Sequence, residues 1–353
     1  MGLEVANSPR SSLEDRIEVE VVTASEGADL EEFVAHHPDG NPFQTYGMVE
    51  LYEKTLAGKP LALRASLGET TVGTLVGVTF TEVSPLLSSL SSHATVRLGP
   101  LVARVKNRPE IFQALLQAYQ LHAEGSPLYI RVYPPGLDED LSHAAGSLGF
   151  RREGWLDYVI RLDRTEEAIW KGIKKVKRSA IRGAERQGLE FKEVEDDKAL
   201  HRLYEVLAQS HRRAGIPVQN EEFFAKALKT MGSKGLIRFF GVVHEGAFIA
   251  ACVVLTYRDM LYYWYAGFSL AAQRYRPNDL MVWRVLQWGR EQQRKRFVFG
   301  GAGNPDEPYG VRDFKRRFGG QEVDYGHLTK VLQPTQYGVA RRLFRIYRRF
   351  RRL

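Results

Sequence analysis

One order of strands and helices runs twice through this chain, and that repetition restricts the fold more than any other feature of its 353 residues. Hydrophobic alternation and turn residues predict strands near 17–22, 60–65, 72–82 and 95–98, with helices near 27–35 and 45–56. A helix near 108–124, a strand at 128–132, a short helix at 139–148 and a strand at 152–161 complete the first pass. The second pass predicts a single helix over 169–187, a strand at 189–194, and helices at 197–213 and 221–231. Three antiparallel strands follow at 236–243, 248–257 and 261–268, turning at His244-Glu245-Gly246 and Arg258-Asp259. Asn278 is placed to cap a helix reaching 293. A strand at 297–299, a glycine-rich loop, a helix near 311–318 and a strand over 322–331 end the pass. The halves share topology without evident residue identity. A mostly antiparallel sheet broken by one long central helix is an α+β (α/β) arrangement. Two such units side by side leave a cleft, where ligands tend to bind. The expected division is 1–162, 163–333 and a basic helix over 334–353.

Composition supports this plan. The chain is too long for one ordinary core, and 44% hydrophobic with 26% charged residues describes a globular protein. No apolar run is long enough to span a membrane. Residues Met1 to Asp15 lack an apolar core, so no signal peptide is expected, the segment should fray, and a cytoplasmic location is expected. The lone cysteine, Cys252, sits in an apolar strand and reads as a small core residue. The nine histidines show no metal-ligand spacing, so no metal site is expected. The net charge is +8, and seven arginines without an acid lie between Tyr337 and Leu353. Val339, Leu343, Phe344, Ile346, Tyr347 and Phe350 would line the opposite side of that helix. Such a helix suits peripheral contact with an anionic membrane.

The densest chemical signal lies between Phe297 and Gly320. A strand ends at Gly300-Gly301, a loop runs through Asn304, Pro305, Asp306, Glu307 and Pro308, and a short helix presents Phe314 and Lys315 before Gly319-Gly320. From position alone Lys315 would be one of several basic residues on a solvated helix. The run Gly310-Val311-Arg312-Asp313-Phe314-Lys315-Arg316-Arg317-Phe318-Gly319 resembles the C-terminal signature of the FemABX family. Trp170 through Gly188 resembles that family's Trp-led basic helix, matched at Arg178, Ile181, Arg182, Ala184 and Gly188. Tyr263 to Trp288 is similar to its Tyr-rich strand, Pro turn and aromatic helix, and Asn41-Pro42-Phe43-Gln44 is family-like in the first half.

The resemblance implies two tandem GNAT-like domains, each a mostly antiparallel mixed sheet flanked by helices. It implies an aminoacyltransferase moving an amino acid from aminoacyl-tRNA to an amine of a peptidoglycan precursor's stem peptide, with no further cofactor. Attack of an amine on an ester creates an oxyanion that a fixed cation stabilises. The resemblance gives that role to Lys315, with Phe314 shaping the site. Arg213, in Arg213-Ala214-Gly215, resembles a turn that holds the precursor's phosphates, although a helix C-terminus also favours an arginine. Tyr263, Tyr265, Gly300, Gly301, Asn304, Tyr309 and Arg312 complete the expected substrate contacts. Strict alternation would place Tyr263 and Tyr265 on one sheet face, with Tyr262 and Trp264 on the other. Lys174, Lys175, Arg178 and Arg182, within a basic cluster on one helix, are the candidate tRNA contacts. Asp313, Glu307 and Asp324 are candidate general bases.

One departure bears on the donor. The stretch Gln273-Arg274-Tyr275-Arg276-Pro277-Asn278 stands where acetyl-CoA-binding relatives carry a glycine-rich pyrophosphate loop. It has no glycine, and Pro277 removes a donor. Acyl-CoA is therefore less expected than aminoacyl-tRNA. The alternative is a GNAT-type N-acyltransferase using a thioester on another amine.

Overall fold

The computed structural model describes residues 16–81 and 91–350, with side chains as far as residue 343. Residues 1–15, including the expected fraying, lie outside the described residues, as do the side chains of Phe344, Ile346, Tyr347 and Phe350.

Two sheets form the frame. The first half supplies β1 (Ile17–Val21), β2 (Lys59–Leu67), β3 (Thr70–Thr81), β4 (Ser92–Arg97), β5 (Leu101–Val102), β6 (Tyr129–Tyr133), β7 (Arg151–Glu153) and β8 (Leu156–Arg161). The second half supplies β9 (Glu190–Glu193), β10 (Ile237–His244), β11 (Ala247–Tyr257), β12 (Met260–Phe268), β13 (Arg296–Val298), β14 (Gln321–Asp324) and β15 (His327–Val331). The first sheet runs β1-β2-β3-β4-β6-β15-β7, with β5 on β3; the second runs β14-β8-β13-β12-β11-β10-β9. Every neighbour is antiparallel except one pair in each sheet, β4 with β6 and β12 with β13. A parallel pair needs a crossover. The long helices α3 (Arg108–His122) and α9 (Pro277–Glu291) provide it. The remaining helices are α1 (Gly27–His36), α2 (Tyr46–Thr55), α4 (Glu139–Ser147), α5 (Glu166–Gly172), α6 (Lys175–Arg186), α7 (Asp197–Ala214), α8 (Glu221–Ala227), α10 (Gly310–Arg316) and α11 (Pro334–Phe350). Local chemistry sets many ends. Thr45, Asp138, Asp196 and Asn220 each accept a first-turn N–H, and Gly215 closes α7 in the left-handed region. Asn278 does not cap α9. Pro277 takes the first helical position, and Arg276 is the cap.

The sheets exchange strands. The single strands expected over 152–161 and 322–331 each divide in two, and the pieces enter different sheets. β7 and β15 pair in the first sheet, while β8 and β14 pair in the second. The breaks fall at Gly154-Trp155 and Tyr325-Gly326, opposite one another. One Asp324 Oδ1 accepts both the Trp155 N–H (2.8 Å) and the Gly326 N–H (2.9 Å), pinning the crossing. Sheet membership therefore does not divide at 162/163: β8 of the first half sits inside the second sheet, and β15 of the second half inside the first.

Apolar packing also ignores the midpoint. Phe43, Met48, Leu51, Tyr52 and Val78 join Leu203, Phe223, Phe224 and Tyr262 in one buried cluster. Phe223 and Phe224 are fully buried, and burying each such ring stabilises by roughly 2–3 kcal/mol.

The expected helix over 169–187 is also two, α5 and α6, separated by Ile173 and Lys174. A close backbone approach explains the break. A Cβ on Gly319 would lie 2.6 Å from the Gly172 carbonyl oxygen, and the Lys174 N–H donates to the Arg317 carbonyl at 2.9 Å. The chain after α10 thus packs into the gap. α11 is rooted by Tyr337, whose ring meets Tyr129 edge-on at 5.4 Å. Beyond it Val339 and Leu343 are 44% and 51% exposed.

Candidate active site

Each parallel ladder ends at the carboxyl ends of its strands, and ligands favour such strand ends. In the first sheet those ends are Arg97 and Tyr133, which pair directly. In the second, Tyr262 is paired with Val298, and β13 continues into Phe299, Gly300 and Gly301.

Lys315 closes that second end. Its side chain is only 9% exposed, so it does not lie on a solvated face. Its Nζ donates to the carbonyl oxygens of Phe299 (3.0 Å), Gly300 (2.6 Å) and Gly301 (2.9 Å). An ammonium has three donors, so all three are engaged. Gly300 takes a positive φ of 70°, which lets successive carbonyls turn to the same cation. Burial draws the Lys315 pKa down to about 8, and Asp157 opposes that shift. Asp157, on β8, is 6% exposed and accepts the Tyr158 N–H. Burial pushes its carboxyl up to about 6 against the pull of Lys315. At neutral pH the pair is chiefly ammonium and carboxylate, poised about one unit from each midpoint.

The strand exchange makes this pair. Asp157 comes from the first half and Lys315 from the second, and their charges act on one another because β8 lies beside β13. Asp157 carried no signal in the sequence, where a lone acid within an apolar strand reads as an outward-facing residue.

Tyr262 links the two strand ends. Its hydroxyl would lie 3.1 Å from a Cβ on Gly300, and the positive charge of Arg97 acts on it. Sequence reasoning also missed Arg97. The family-like Asn41-Pro42-Phe43-Gln44 segment holds its backbone. Gln44 Nε2 donates to the carbonyls of Arg97 (2.8 Å) and Val76 (3.0 Å), and Asn41 Nδ2 donates to that of Leu98 (2.7 Å). Phe43 meets the Tyr262 ring edge-on at 5.0 Å, so this segment bridges the sheets.

The other expected contacts divide. Gly300 and Gly301 lie at Lys315. Phe314 is half-buried against Phe318 and carries the Lys177 ammonium 4.1 Å above its ring. Tyr263 and Tyr265 do not share a face. A bulge opposite Val253/Val254 makes Trp264 the extra residue, so Tyr265 turns to the side of Tyr262 while Tyr263 packs with Phe297 and Phe299. Tyr263 also meets the buried Cys252, whose thiol burial pushes up. Arg312 turns to its own loop, donating to the carbonyls of Ala302 (3.0 Å), Pro305 (3.0 Å), Glu307 (2.9 Å) and Asn304. Asn304 accepts the Asp306 N–H at 2.9 Å, and Tyr309 is largely exposed beside Gly303. Arg213 lies over Phe268 and donates to the Phe268 carbonyl (3.1 Å) and Ser210 Oγ (3.2 Å), apart from Lys315.

In the basic cluster, Lys174 and Lys175 are exposed. Arg178 instead donates to the carbonyls of Lys171 (3.1 Å) and Ile173 (3.0 Å) that end α5. Arg182 lies over the Trp170 ring, 5.4 Å from its centroid. Lys177 pairs with buried Asp279 in the first turn of α9. Of the candidate bases, Asp313 pairs with Arg316, Glu307 lies on the exposed loop, and Asp324 pins the strand crossing. None acts on the charge of Lys315 as Asp157 does. No cluster of metal-binding side chains occurs among the described residues, and no helix there is long and apolar enough to cross a membrane.

Residues 171–316 match the family described as "Acetyltransferase (GNAT) domain". No curated protein matches in sequence. Among solved structures, FemX is 15% identical with a TM-score of 0.67, over 91% of this chain and 99% of that one. A tandem GNAT protein from the clavulanic acid biosynthesis pathway is 14% identical with a TM-score of 0.58, over 89% and 98%. L-PGS from Bacillus licheniformis is 16% identical with a TM-score of 0.52, over 76% and 85%. By its architecture the chain is therefore a tandem GNAT-fold protein, similar to FemX over nearly the full length of both.

Proposed function

We propose that this protein is an aminoacyltransferase that moves an amino acid from aminoacyl-tRNA to an amine of a peptidoglycan precursor stem peptide. The carrying observation is the buried Lys315–Asp157 pair at the open end of β13. Transfer from ester to amine needs a base to take the proton of the attacking ammonium and positive charge where the oxyanion forms. Asp157, with its midpoint near 6, suits the first task. Lys315 suits the second through its charge and by fixing the Gly300 and Gly301 peptides. The likeness in fold to FemX and L-PGS supports an aminoacyl donor. Exposed Lys174 and Lys175 offer tRNA contacts, and the exposed Val339 and Leu343 of α11, with the arginines of that segment, offer contact with an anionic membrane.

A thioester donor is the second reading, favoured by the match to an acetyltransferase domain. The N-terminus of α9 counts against it. Pro277 lacks an N–H, and the buried Asp279 carboxylate paired with Lys177 already occupies the first turn, where a pyrophosphate would meet like charge.

The test is a mass-shift assay. The full chain is incubated with charged total tRNA and UDP-linked or lipid-linked muramyl pentapeptide, beside Lys315→Ala and a parallel series with acyl-CoA. A gain of one amino-acid residue, lost in the variant, is expected. No gain from either precursor, with acylation from a thioester instead, would overturn the first reading in favour of the second.

A further inference from the structure

Arg97 stands at the carboxyl end of β4, as the last residue of β4 paired with β6. Its side chain is solvent-exposed. The ionisable groups that act on it are Tyr52 and Tyr133 from the first half and Tyr262 and Tyr265 from the second. The guanidinium therefore looks into the cleft between the sheets. It lies 5.9 Å from the Tyr133 ring centroid. No carboxylate is among the groups that act on it, taken over the described residues. Burial raises the pKa of Tyr262 and Tyr265 to about 12, so these phenols stay neutral and do not balance the charge. Lys315 and Asp157 balance one another, which leaves Arg97 without a carboxylate partner among the described residues.

The backbone that carries this charge is held in place. Gln44 fixes the Arg97 carbonyl, and a small cavity lined by Phe43, Tyr52, Thr95 and Arg97 opens beside it. A guanidinium is a rigid fork of donors suited to two oxygens of one carboxylate or phosphate. Phenolic hydroxyls around it add donors that carry no charge of their own. A positive centre lacking a counter-ion, carried on a fixed backbone and open to solvent, is the complement of an oxyanion on a ligand.

We propose that Arg97 is the anion-binding residue of this cleft, taking a carboxylate or phosphate group of the acceptor and so holding that acceptor between the two sheets. The identity of the acceptor rests on the function proposed above; the anion site itself does not. Tyr262 joins the two regions, since it faces both Arg97 and Gly300. An acceptor gripped at Arg97 would thus extend toward Asp157.

Calorimetric titration of the full chain tests this with three probes: inorganic pyrophosphate, the free muramyl-type pentapeptide, and UDP-linked muramyl pentapeptide. Wild type, Arg97→Gln and Arg97→Lys are compared, with melting temperatures as the control for folding. At least one probe should bind wild type and lose at least about tenfold in affinity in Arg97→Gln, with Arg97→Lys between, because a lysine keeps the charge but not the fork. Dependence confined to pyrophosphate assigns a phosphate; dependence confined to the free peptide assigns a carboxylate. Arg97-dependent binding of pyrophosphate or free peptide without binding of the UDP-linked precursor would keep the anion site and count against the proposed acceptor. If no probe binds in an Arg97-dependent way to folded protein, the inference is overturned.

Discussion

At the scale of single residues, Lys315 and Asp157 were unequally legible. The Phe-Lys motif singled out Lys315, where position alone suggested a solvated helix, and the structure buries it among three carbonyls. Spacing along a seven-residue helix cannot reveal what strand end it will meet. Asp157 was invisible because its role depends on a neighbour 158 positions away, brought close by β8 entering the other sheet. Removing the Lys315 ammonium should leave three carbonyls unsatisfied. Lys315→Met is expected to lose about 2–4 kcal/mol of stability by chemical denaturation, together with activity. The Asp157 carboxyl has a folded pKa of about 6, raised above its ordinary value of 3.8. The folded state thus holds more protons between those values, and stability falls as pH rises through that window. Asp157→Asn should abolish that slope. Denaturation of both proteins from pH 4 to pH 7 checks it, and parallel curves would contradict the buried environment described.

At the scale of elements, turn chemistry and caps placed most helices, while breaks imposed by contact escaped detection. The pattern over 169–187 is continuously helical in sequence, yet Gly172 and Gly319 approach so closely that the helix must stop. Charge was legible on α6, but its use was not, since Arg178 and Lys177 serve neighbouring elements rather than solvent. Gly319 combines a φ of 81° with that 2.6 Å approach. Gly319→Ala should therefore destabilise by roughly 1–3 kcal/mol, more than an alanine at the open Gly183, as equilibrium unfolding would measure. Asp324→Ala should lower the melting temperature by about 4 °C or more by freeing both N–H groups at the crossing.

At the scale of the whole molecule, the duplicated order of elements announced two sheets, but not their exchange of strands. Nothing in a local pattern distinguishes one bent strand of about ten residues from two short strands in different sheets. The consequence is that neither half holds a complete sheet. Fragments 1–162 and 163–353 made separately are expected to be unfolded or aggregated, and to regain native circular dichroism only when produced together. Independent folding of either fragment would contradict the interlocked arrangement. The exchange also places Asp157 and Lys315 on different halves, so activity should follow reassembly.

The proposed transfer chemistry rests on this pair. Its most direct test is the pH dependence of single-turnover aminoacyl transfer. Base function by Asp157 and positive charge on Lys315 predict a bell with limbs near pH 6 and pH 8, the apparent values of the coupled pair. Asp157→Asn should lower the rate and erase the acid limb. A flat profile between pH 5 and 9, or an acid limb unchanged in Asp157→Asn, would contradict the account.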